Sequence, residues 1–123
     1  MYKRQNKDRV HRLIDSTGSK LTSEGLIFYQ KALQSSDHIE GTLAMMANWD
    51  LDKMAMQIRT LDIPMLQIIG DKDGTIEPSA SLKTEKLLAN GIREVFTGYG
   101  HLVHEEIPQE VGASIRRFYG SMA

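Results

Sequence analysis

One short stretch limits the fold more than any other: "IPMLQIIG", residues 63–70. It is nearly continuous in apolar residues, is bounded by Pro64 and Gly70, and is too short for a solid helix. That pattern predicts a strand buried on both faces, as in a parallel sheet. "PSASLKTEKLLANG" follows at helical spacing, with Pro78 at its start, Leu82, Leu87 and Leu88 apolar, and Gly91 as the expected C-cap. "IREVFTG" then alternates apolar and polar as a second strand. Strand, helix, strand within about 30 residues is a βαβ unit with a right-handed crossover. "PQEVGASIRRFYG" closes the chain as a helix, with Val111, Ile115, Phe118 and Tyr119 inward.

Residues 1 to about 62 read as helical. "KDRVHRLID" is one helix, broken by "STGS" at 16–19. "TSEGLIFYQKALQ" is a second, capped by Thr22 or Ser23, with Leu26, Phe28, Tyr29 and Leu33 apolar. A third opens at Asp37, three residues before Glu40, a variant of the capping box. Its apolar face is Ile39, Leu43, Met46 and Ala47. Met45, Met46, Met54 and Met56 read as core filling rather than soft ligands. Trp49 reads as an anchor between the helical part and the rest.

Functional groups of an open parallel sheet gather at the carboxyl ends of its strands. Asp73, in "GDKDG", lies just past the first strand, and His101, in "GYGH", lies just past the second. The crossover therefore makes them neighbours across 28 residues of sequence. A carboxylate beside an imidazole fixes its tautomer and stabilises the imidazolium, as a general base requires. Asp71 is a rival acid.

Other chemistries find less support. The chain has no cysteine, which removes disulfides, zinc–thiolate sites and a cysteine nucleophile. "HLVHEE" groups two histidines with two glutamates, but not in the His-Glu-x-x-His order of zinc hydrolases, so no metal is expected. No phosphate-binding glycine loop is present and no cofactor is expected. Net charge is −1, which gives no global case for nucleic acid. Residues 1–12 hold five Lys/Arg against one Asp, read as a solvated helix face. No apolar stretch nears the roughly 18 residues of a membrane span, and the basic start lacks the apolar region of a signal peptide. A cytoplasmic location is the expectation.

"IPMLQIIGDKDGTIEPS…GYGHLVHEEIPQEVGASIRRFY" resembles the C-terminal end of an α/β-hydrolase-fold protein. In that family an acid follows one late strand, the histidine follows the last strand, and a Glu-x-Pro segment begins the last helix. Here these match Asp73, His101, and Glu106 with Pro108. The resemblance covers residues 62–120 and implies Asp73 as the triad acid and His101 as the general base. "IDSTGSKLTSEGLIFYQKAL" and "HIEGTLAMMANWDL", within residues 10–52, resemble the cap region of the magnesium-chelatase accessory proteins of bacteriochlorophyll synthesis. That likeness implies a role near magnesium insertion into protoporphyrin, and names no reaction.

The expected architecture is thus α/β: residues 1–62 a helical cap segment, residues 63–123 the C-terminal βαβα part of an α/β-hydrolase core. The family's Gly-x-Ser-x-Gly elbow has no counterpart before Asp73. Its nearest spelling, "GASIR" at 112–116, lacks the second glycine and follows the histidine, so Ser114 reads as an ordinary helix residue. The chain therefore reads as the C-terminal fragment of a larger domain, and whether it is an enzyme stays open. Its expected ligand is a small-molecule ester or a tetrapyrrole, and its expected partner a magnesium-chelatase subunit. Two strands alone make a poor sheet, so self-association or a complementing N-terminal segment is expected. The alternatives are a generic serine-hydrolase fragment and a non-catalytic module that binds a tetrapyrrole or a protein.

Overall fold

The computed structural model describes residues 2–122, with side chains from residue 8 on. The basic side chains of Lys3, Arg4 and Lys7 lie outside the described residues. Four helices come first: α1 (Tyr2–Ser16), α2 (Ser23–Ala32), α3 (Ser36–Ala47) and α4 (Leu51–Ile58). A mixed part follows: β1 (Met65–Gly70), α5 (Pro78–Glu85), β2 (Gly91–Phe96), α6 (Val103–Glu106) and α7 (Pro108–Gly120). β1 and β2 form a two-stranded parallel sheet, with Met65 opposite Gly91 and Gly70 opposite Phe96.

Local chemistry accounts for most of the boundaries. The Thr22 hydroxyl accepts from the Gly25 N–H and starts α2. Pro78 and Pro108 sit in the first turns of α5 and α7, where a missing N–H costs nothing. Ser35, rather than Asp37, caps α3, because its hydroxyl reaches the His38 N–H and leaves Asp37 inside the first turn. The Asp50 carboxylate accepts from the Lys53 N–H and opens α4 as a helix separate from α3.

The strands carry β-branched and apolar residues that α5 and α7 cover from opposite sides. Arg93 Nε of β2 donates to Ser81 Oγ of α5 at 2.7 Å. On the other side, Glu94 accepts from Ser114 Oγ and from Arg117 Nη2 of α7. Ser114 is therefore a helix residue with a structural bond, 1% exposed. β1 is only half-buried up to its last residue, short of the full burial expected: α5 and α7 lie on its two faces, but one of its edges has no strand neighbour among the described residues. Gly91 is not a C-cap: α5 ends at Glu85 with Lys86 as its cap, and Gly91 begins β2. His104 and Glu105 belong to the one-turn α6, which ends at Glu106 with Ile107 as its cap, before Pro108 starts α7.

The core is small: Val10, Ile14, Leu88, Val103 and Val111. Most of the apolar face expected of the first four helices stays in solvent. Leu43, Met45, Met46, Trp49, Met54 and Met56 are all about half exposed or more, so neither the methionines nor Trp49 fills a core. Ile115 and Tyr119 also face solvent. The periodicity predicted α1, α2 and α3 but not α4 as a separate helix, and among the described residues neither α3 nor α4 has another element packed broadly against it.

Candidate functional site

β1 and β2 run parallel, so their carboxyl ends lie at one edge and the loops that follow meet there. The first loop stays close to the second through its backbone. The Asp71 N–H donates to the Phe96 carbonyl at 3.1 Å, and the Lys72 N–H to the Tyr99 carbonyl at 2.8 Å. Gly98 turns the second loop with φ of 92°, a left-handed conformation that favours glycine.

The two aspartates of "GDKDG" have different tasks. Asp71 Oδ1 accepts from the Gly98 N–H at 2.6 Å and braces the turn. Asp73 Oδ2 lies 2.8 Å from His101 Nδ1. Its other oxygen accepts from the N–H groups of Thr75 and Ile76, each at 2.8 Å. Asp73 is thus the acid in reach of the histidine, and its rotamer is held from both sides. Its side chain is 11% exposed and that of His101 is 35% exposed, so the ring remains open to solvent. Among the described residues, His101 Nε2 has no hydrogen-bond partner.

Burial alone would push the Asp73 carboxyl up. The hydrogen bonds from Ile76, His101 and Thr75, with the charge of His101, outweigh it and hold the carboxyl below its ordinary 3.8. A folded-state pKa below the unfolded one favours the folded loop above the ordinary value and loses that support as pH falls through the depressed one. We expect His101→Ala to raise the Asp73 pKa toward the ordinary value. A ¹³C NMR titration of the Asp73 carboxyl measures this, and an unchanged midpoint would show that the backbone bonds alone hold the group.

A cavity of about 360 Å³ opens beside the pair, lined by Gln67 and Ile69 of β1, Ser81 and Thr84 of α5, and Asp73 and His101. Gln67 Nε2 is buried with no hydrogen-bond partner among the described residues. The other histidine with acidic neighbours leads elsewhere. His104 Nε2 stands 3.8 Å from Glu105, which accepts a hydrogen bond from Tyr29 of α2. Burial, then that bond, then the nearby carboxylate charge push the Tyr29 hydroxyl up to about 12. No group of three His, Asp or Glu side chains suited to a metal occurs among the described residues.

Sequence reasoning missed one contributor. The helix break at 16–19 packs on the site, and the Thr17 carbonyl accepts from both the Gly74 and the His101 N–H groups, each at 3.0 Å. "STGS" spells a turn, and nothing in its periodicity marks what the turn touches.

No family model matches the chain. It is 29% identical over 100 residues to a protein of Rhodobacter capsulatus named the magnesium-chelatase 30 kDa subunit. The alignment takes in 81% of this chain and 35% of that protein, so the chain spans about a third of the relative's length. The alignment shows weak homology to that protein.

Proposed function

We propose that this chain acts at magnesium insertion in bacteriochlorophyll synthesis, as a partner of a magnesium-chelatase subunit. We assign it an α/β-hydrolase-like site in which Asp73 is the acid and His101 the base. The similarity to the Rhodobacter capsulatus subunit carries the first part. The 2.8 Å Asp73–His101 bond at the carboxyl edge of a parallel sheet supports the second. In this reading residues 1–62 are cap, residues 63–123 are the end of the core, and the protein works in the cytoplasm.

The chemistry of the pair is proton transfer. Asp73 holds the Nδ1 proton, which leaves Nε2 to accept or deliver one at a ligand in the adjoining cavity. These 123 residues contain no Gly-x-Ser-x-Gly elbow, so acyl transfer is not a step that they complete by themselves. The half-exposed apolar side chains of α3 and α4 favour a second reading, a non-catalytic module that binds a tetrapyrrole or a protein.

A reconstituted magnesium chelatase, with protoporphyrin as substrate and the chain titrated in, separates these readings. The chain should raise the rate of magnesium–protoporphyrin formation in proportion to its concentration. If the pair performs general acid–base work, Asp73→Asn and His101→Ala should each lower that effect by roughly a hundredfold. Variants as effective as the wild type would leave the binding module standing and remove the catalytic pair. No effect on rate, with no co-purification with any chelatase subunit, would overturn the chelatase role.

A further inference from the structure

We propose that the turn at residues 17–19 is the positioning element of the Asp73–His101 pair, with Ser19 as its central side chain. The inference rests on reading that pair as the working site. Ser19 is 2% exposed, within the range of the apolar core, although it is polar and sits in a helix break. Its hydroxyl accepts from the Leu102 N–H at 2.8 Å, one residue past His101. Two residues earlier, the Thr17 carbonyl ties together Gly74, next to Asp73, and His101 itself. One short turn therefore bonds to both loops at the residues flanking or forming the pair.

Two further features lock the turn against those loops. The Glu106 carboxylate accepts from the Lys20 N–H at 2.9 Å and from the Gly100 N–H at 2.8 Å, closing the contact on its far side. Gly18 has φ of 75°, and a Cβ there would run into the Lys72 carbonyl. A Cβ on Gly100 would strike the backbone of Gly18 and Ser19. The backbones thus touch without side chains between them, a fit that leaves the loops little freedom to separate. Among the described residues the turn makes no hydrogen bond to the Asp73 carboxylate or to the imidazole. It acts on their spacing.

The test uses the full chain with Ser19→Ala, and Ser114→Ala as its control. Both serines are fully buried and hydroxyl-bonded, but Ser114 bonds to Glu94 on the α7 side of the sheet. A buried donor left unpaired costs enough for Ser19→Ala to speed amide exchange at Leu102, His101 and Gly74 by roughly tenfold or more. The Asp73 carboxyl titration should also move back toward the ordinary aspartate value, while Ser114→Ala changes neither reading. Faster exchange at Leu102 alone, with the Asp73 titration as in the wild type, overturns the positioning role. So does the same change in Ser114→Ala, because it would mark general loosening. Should Ser19→Ala fail to fold, Glu106→Gln carries the test from the other side. It removes one of two acceptors, and an unmoved Asp73 titration there is equally fatal. Neither readout is an activity, so this proposal and the chelatase role fail separately.

Discussion

Replacing Gly70 with alanine is expected to destabilise the chain by about 3 kcal/mol, within the range of overpacking and strain at a tight site. Gly70 is the last residue of β1 and is buried. A Cβ on it would meet the carbonyl oxygens of Gly100 and Tyr99 and the carbonyl carbon of Tyr99, all of them backbone atoms. No rotamer change relieves such a contact. The loop cannot simply drift away either, because the Lys72 N–H holds the Tyr99 carbonyl at 2.8 Å. Relief means moving residues 99–101 outward, which lengthens the Asp73–His101 bond. Urea unfolding measures the stability loss, and a loss below about 0.5 kcal/mol would mean that the strand end tolerates a side chain. Gly41→Ala is the control of opposite sign. Gly41 lies inside α3 with nothing within 4 Å of the added Cβ, and alanine should stabilise there by up to about 1 kcal/mol.

The βαβ unit was legible because its signals are local. A six-residue apolar strand, a proline-started helix, an alternating strand and a final helix from Pro108 to Gly120 each follow from residues within a few positions of one another. Topology then placed Asp73 beside His101 without further information, since parallel strands bring their following loops to one edge. The division of labour between Asp71 and Asp73 needed geometry. Both are two-residue neighbours in one turn, and only the structure shows one carboxylate on Gly98 and the other on His101. The turn at 17–19 was legible as a helix break, but what it touches was not. Its bond from Leu102 to Ser19 spans 83 residues of sequence, and such a contact has no period to detect. The apolar face of α3 and α4 failed differently. Spacing shows which residues share a face, but it says nothing about whether another element covers that face.

That uncovered face leads to the second large expectation: the isolated chain self-associates. Leu43 is 61% exposed, Leu51 62% and Met56 64%, with Trp49 between them. Apolar side chains left at this exposure favour association, and among the described residues the two-stranded sheet leaves an unpaired strand edge. Burying one leucine side chain is worth about 1.5–3 kcal/mol. Both leucines are already more than a third buried, so burying the remainder of the two in a contact between chains strengthens it by at least roughly tenfold. The double substitution Leu43→Lys, Leu51→Lys removes that contribution and adds two charges that resist burial. Sedimentation equilibrium of the wild type should give a mass that rises with concentration, and the double variant should need at least roughly ten times more protein for the same rise. Neither residue is in the core or at the site, so the variant should keep its far-ultraviolet circular dichroism and the Asp73 titration. A wild type that stays a cooperative monomer at high concentration would show that hydration of these helices costs less than their exposure suggests. The face would then be free for a different molecule rather than for a second copy of the chain.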